Sequence, residues 1–167
     1  ASDACVETVG AGAAIGGANL LGVVGSHQGV LPATFSCPVV LVDGGVLPES
    51  GAARDTALQR LDALVAGVRA ADPGADVVVA GVGDGISPVR PRAVVAAGPS
   101  FPRGLLSSAS TRQPGVVQLQ DLTATALDRV GASVDVTGRP LTVSGTSGSS
   151  AALVAGLAGG PCHHARR

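Results

Sequence analysis

Pro38-Val-Val-Leu-Val-Asp-Gly-Gly45, an amphipathic run over 52–71, and Asp76-Val-Val-Val-Ala80 together decide the fold. The β-branched run at 39–42 has no polar alternation, the pattern of a strand buried on both faces. Asp43-Gly-Gly45 ends it with turn chemistry. Over 52–71, Ala57, Leu58, Leu61, Leu64, Val65 and Val68 recur at three-four spacing. Arg54, Asp55, Gln59, Arg60, Asp62 and Arg69 take the other positions, which predicts a helix. Asp72-Pro-Gly74 stops it, and a second buried strand follows at 76–80. Strand, helix and strand at this spacing predict an α/β domain. Its sheet is expected to be mixed and largely parallel, with flanking helices and a crossover carrying strand 39–42 to strand 76–80.

Outward from this centre the signals shorten. Residues 92–97 form a third expected strand, ended by Gly98-Pro99. Residues 100–113, rich in Ser, Pro and Gly, are expected to be loop. A helix over 121–130 follows, with Asp121 or Thr123 as N-cap and Gly131 closing it. Short strands are expected at 134–136 and 141–143. On the N-terminal side, strands are expected at 6–9 and 20–24, with a turn over 25–29 that puts His27 in solvent. Residues 1–143 make one domain, and the Gly/Ser/Ala-rich remainder, 144–167, is expected to be a flexible tail.

Composition narrows the function. The 167 residues include two aromatics, Phe35 and Phe101, so the core must be built from small aliphatic groups. All eleven basic residues are Arg, the pattern of a high-GC bacterial coding sequence. Net charge is −1 and no basic block stands out, so the electrostatic footprint of a nucleic-acid binder is missing. No apolar stretch reaches the roughly 20 residues of a membrane helix. A chain starting at Ala1 without a signal segment is expected to be a mature or excised piece, and a membrane anchor in a longer parent stays open.

Cys5 and Cys37 each lead a Val-rich run. They allow a disulfide in an exported protein and, equally, two buried free thiols. Cys162-His163-His164 carries zinc-type side chains, but three adjacent residues do not converge easily on a tetrahedral ion. Asp43 and Asp84, in the loops after the two buried strands, are candidate metal ligands. Each is also suited to capping its own turn. Ser110, Thr111 and Arg112 are candidates for an anion site, since an Arg fork suits phosphate or sulfate, or belong to a solvated loop. Gly10-x-Gly12 and Gly16-Gly17 lack the spacing of a dinucleotide fingerprint, and 144–150 holds no Gly-x-Ser-x-Gly elbow.

The run Gln118-Leu-Gln-Asp-Leu-Thr-Ala-Thr-Ala-Leu-Asp-Arg-Val-Gly-Ala132, followed by Gly138-Arg-Pro-Leu141, resembles a recurrent helix of the alkaline phosphatase/sulfatase/phosphoglycerate mutase superfamily. Gly98-Pro99 with Gly104 resembles that superfamily's Gly-Pro-Gly loop. The order of segments from Cys37 to Val143 is similar to its C-terminal half, which implies an alkaline-phosphatase-like fold truncated on its N-terminal side. The resemblance assigns Asp43 and Asp84 to acidic metal-binding positions. Gly85, however, stands where the superfamily's Asp-His-Gly has His, and no His follows Asp43 closely. The nucleophile belongs to a half that is represented here only by a Gly/Ala-rich segment.

The resemblance therefore implies a degenerate, non-catalytic domain without a cofactor. It is similar to the extracytoplasmic phosphatase-like domain of certain actinobacterial membrane proteins, acting at the cell envelope on a protein or anionic partner. Two alternatives remain. One is a metal-dependent phosphate or sulfate ester hydrolase fragment holding Zn, Mn or Ca at Asp43 and Asp84. The other is a cytosolic α/β domain with reduced cysteines and an unrelated small-molecule site.

Overall fold

The computed structural model describes residues 5–17, 23–27, 30–83, 91–133 and 135–145. The chain divides into two compact units. Ala1–Val77 with Ala126–Val134 form the first, and Val78–Thr125 with Asp135–Arg167 the second.

The first unit opens with β1 (Val6–Val9), α1 (Ala11–Gly17), β2 (Val23–His27) and β3 (Val39–Val42). The strands form one sheet in the order β2-β1-β3, with both pairings parallel. β1 is central, and Glu7, Thr8 and Val9 are buried. Parallel neighbours require a crossover, and α1 supplies the one between β1 and β2. Val6 pairs with Val39, so the positions just before β1 and β3 are neighbours too. α2 (Gly51–Ala71) follows β3. Asp72 ends it: its N–H donates to the Val68 carbonyl, and its side chain accepts from the Gly74 N–H at 3.0 Å. Leu61 of α2 lies against Gly44, and Gly67 of α2 lies against Leu31.

In the second unit β4 (Val77–Ala80) pairs with β5 (Val94–Ala97), and β6 (Leu105–Ser107) pairs antiparallel with β7 (Thr142–Ser144). α3 (Leu119–Arg129) lies between β6 and β7 in the chain; it begins in this unit, and its residues from Ala126 on belong to the first. Gly131, at φ +67°, ends it by a Schellman arrangement. The Ala132 N–H reaches the Leu127 carbonyl at 2.9 Å, and the Gly131 N–H reaches that of Asp128 at 3.1 Å.

The α/β class is therefore present, but among the described residues the strands fall into three small sheets. β3 pairs with β1, and β4 with β5, so the expected ladder from strand 39–42 to strand 76–80 is absent there. β2 runs to His27, so Gly25, Ser26 and His27 are strand where a turn over 25–29 is expected. β6 lies inside the expected 100–113 loop, because Leu105-Leu106 finds its partner some 37 residues away, beyond any local signal. Asp135 and Val136 are not in a strand, and residue 134 lies outside the described set. Asp121 stands three residues inside α3 rather than capping it. Gln118 precedes the helix, and its N–H donates to Asp121 Oδ2 at 2.8 Å, the return half of a capping box.

Candidate functional site

In parallel sheets, ligands are commonly held at the carboxyl ends of the strands. In the first unit those ends bring together Gly10, His27 and Asp43. The Gly10 N–H donates to the His27 carbonyl at 2.9 Å, and the Asp43 N–H to the Val9 carbonyl at 2.8 Å. Both Asp43 carboxylate oxygens are engaged by backbone. Oδ1 accepts from the Gly45 N–H at 2.8 Å, an Asx turn, and Oδ2 accepts from the Gly12 N–H at 2.9 Å. The approach is tight enough to explain both glycines. A Cβ on Gly10 would meet the Asp43 Cβ at 2.8 Å, and one on Gly12 would meet Oδ2 at 2.7 Å. The Gly45 and Gly12 hydrogen bonds hold the Asp43 carboxyl below its usual range. Asp43 is thus a three-way tie between β3, its own turn and the start of α1.

Asp84 lies outside the described residues, as does Cys162-His163-His164. Among the described residues, no three His, Cys, Asp or Glu side chains gather as metal ligands.

On β1, Glu7 is 3% exposed. Its Oε2 accepts from the Ser36 N–H at 2.9 Å, and its Oε1 contacts His27 Nε2. Burial works against the Glu7 carboxylate. The Ser36 amide, His27 and the Cys37 amide outweigh it, so the carboxyl sits below its ordinary value. His27 is consequently half-buried and paired, not a free turn residue. Cys5 and Cys37 are joined by a disulfide with a Cα–Cα separation of 5.2 Å, which ties the start of β1 to the approach to β3. Glu7 carries a signal of its own in the sequence. A carboxylate inside a four-residue Val-Glu-Thr-Val strand must either face water or find buried partners.

In the second unit the three anion candidates are placed differently from one another. Ser110 Oγ donates to Asp121 Oδ1 at 2.6 Å. Thr111 Oγ1 donates to the Val116 carbonyl at 2.7 Å. Arg112 is exposed. The hydroxyl protons of Ser110 and Thr111 therefore point at protein acceptors, and one of these is itself an anion. The residue that organises the region is Asp121, fully buried. Besides Ser110 and Gln118, it accepts from the Arg139 N–H at 2.9 Å. Burial would raise its pKa, but hydrogen bonds from Ser110, Arg139, Gln118 and Ser108 hold it below normal. One turn on, Thr125 Oγ1 accepts from the Leu141 N–H at 2.8 Å, and donates to the Asp121 carbonyl at 2.6 Å. A Cβ on Gly138 would collide with the Gln120 carbonyl oxygen. Asp121, Thr125, Gly138 and Leu141 thus form one knot, and their sequence spacing has a structural cause.

A cleft of about 100 Å3 in this unit is lined by Arg92, Val94, Val117 and Leu122 among others. It is well below the roughly 300–1,000 Å3 of small-molecule pockets.

The three depressed carboxyls share one pH signature. Glu7, Asp43 and Asp121 each bind a proton less readily folded than unfolded. Their stabilisation is complete above the unfolded pKa of about 4 and is lost as pH falls through the lower folded values. The urea midpoint is expected to stay level from about pH 7 to 5 and to fall below about pH 4. A midpoint that rose on acidification would show that these carboxyls are not held as ionised acceptors.

Comparison of the chain with protein-family models, with curated proteins and with solved structures finds no match.

Proposed function

We propose that this chain is a phosphatase-like α/β domain that has given up metal chemistry and serves binding or assembly outside the cytoplasm. The observation that carries this reading is the state of Asp43. Both of its oxygens are taken by backbone N–H groups, which is the work of a turn cap. Metal-assisted ester hydrolysis needs carboxylates and imidazoles free to converge on an ion at about 2 Å. The phosphatase-like ancestry is supported by the Asp121–Thr125–Gly138–Leu141 knot. It joins the Asp-Leu-x-x-Thr helix and the later Gly-x-x-Leu in a single structural unit, a reason for the two to occur together that does not depend on catalysis. The Cys5–Cys37 disulfide supports an oxidising compartment, where such bonds persist. An envelope protein or an anionic ligand is the partner this reading calls for.

The test is metal content and a thermal melt of the purified chain with Zn²⁺, Mn²⁺ or Ca²⁺, beside hydrolysis of p-nitrophenyl phosphate and sulfate. The expected result is no stoichiometric metal, no melting shift and no turnover. A bound metal, or a melting shift of several degrees abolished by Asp43→Ala and Asp84→Ala, would restore the hydrolase reading.

A further inference from the structure

The segment between Leu31 and Val39 is held to the sheet in an unusual way. Leu31 lies against Gly67 of α2, and at Val39 the segment enters β3. Between those points it forms no strand or helix. Two ties hold it instead, and they lie side by side. One is the Cys5–Cys37 disulfide. The other is the Glu7 carboxylate, which accepts from the Ser36 N–H at 2.9 Å and also draws on the Cys37 amide.

The two ties have different chemistry. The disulfide is broken by reduction. The carboxylate tie is broken when Glu7 loses its charge, because a neutral carboxyl is a weaker acceptor. The ionisable group facing Glu7 is His27 of β2. Residues 30–36, α1 and β3 carry no ionisable side chain, so no other charge from those elements competes at the carboxylate.

We propose that residues 32–38 form a doubly latched flap, released only when the Cys5–Cys37 disulfide is reduced and Glu7 is uncharged. Either latch alone keeps it closed. Cys37 is 7% exposed and Cys5 is half-buried, so Cys5 is the more accessible end of the bond. With a dithiol reductant, the first thiolate forms a mixed disulfide at Cys5 and expels the Cys37 thiolate, which takes up a proton. The second thiol of the reductant then displaces Cys5. The balance is two electrons and two protons to the protein, giving two protein thiols and one oxidised dithiol. Opening frees the Glu7 carboxylate from the Ser36 and Cys37 amides. The device does not depend on the proposed function.

Amide hydrogen exchange on the full chain at neutral pH tests this, with Glu7→Gln standing in for the uncharged side chain. The Asp43 amide, bonded to the Val9 carbonyl in the sheet, is the internal reference. Dithiothreitol alone, or Glu7→Gln alone, is expected to leave Ser36 and Cys37 exchange within roughly threefold of that reference. The two together are expected to accelerate Ser36 and Cys37 more than about tenfold over it. The proposal is overturned if either change alone produces that acceleration, or if the combination does not. It is equally overturned if the Asp43 amide accelerates in step, since that would be unfolding of the whole sheet.

Discussion

Asp121→Ala is expected to destabilise the protein by about 3–5 kcal/mol, read as a fall in the urea midpoint. Its carboxylate is fully buried and accepts from Ser110 Oγ and from the Gln118 and Arg139 N–H groups at 2.6–2.9 Å. Removing it leaves those donors facing an apolar methyl, and each buried donor without an acceptor costs about 1–3 kcal/mol. The losses do not simply add, since the region relaxes and desolvation of the carboxylate itself is relieved. Asp121→Asn is the sharper comparison. Its shape is kept, but its amide nitrogen replaces an acceptor with a donor at a place where only donors converge. It should therefore recover little of the loss. If both variants cost under about 1 kcal/mol, Asp121 is not the centre of this knot.

Removing the disulfide as Cys5→Ser with Cys37→Ser is expected to lower stability by about 3–4 kcal/mol. The bond closes a loop with a sequence separation of 32, and chain entropy returned to the unfolded state gives that magnitude. Parallel denaturation of the oxidised and dithiothreitol-reduced wild-type chain should give the same difference. An unchanged midpoint on reduction would mean that the bond closes a loop already restrained in the unfolded state. The loss is expected to be global. A release confined to residues 32–38 requires the Glu7 tie to be broken as well.

The legible parts of this protein are those whose signal is repeated. α2 was read from twenty residues of regular spacing, and it runs over Gly51–Ala71. Uninterrupted apolar runs mark β3 and β4, and Gly131 marks the end of α3. β6 was not legible, because three residues among Ser, Pro and Gly carry no period of their own. The sequence marks Asp121 as belonging to the helix start but not its position there. A Gln is a poor N-cap by rank, and only the Gln118 N–H to Asp121 contact shows which residue precedes the helix. The two roles open to Asp43 are legible in its own loop, but the placement of Gly12 against it is a contact across 31 residues of chain. The sequence around His27 points to a surface turn, because its partner, Glu7, lies twenty residues away on a neighbouring strand.

The sequence by itself determined the α/β class, the long helix and the turns at 43–45 and 72–74, all of which follow from backbone preferences and periodicities within a few residues. Tertiary structure decided everything that depends on strand order. β1 lies between β2 and β3, and this placement sets Cys5 beside Cys37 and Glu7 beside His27 and Ser36. In the second unit the return of the chain at 138–141 sets Arg139 and Leu141 against α3. The physical reason is the same in both units. A buried carboxylate must gather its donors from wherever the chain returns, and the distance along the sequence at which it returns leaves no local trace.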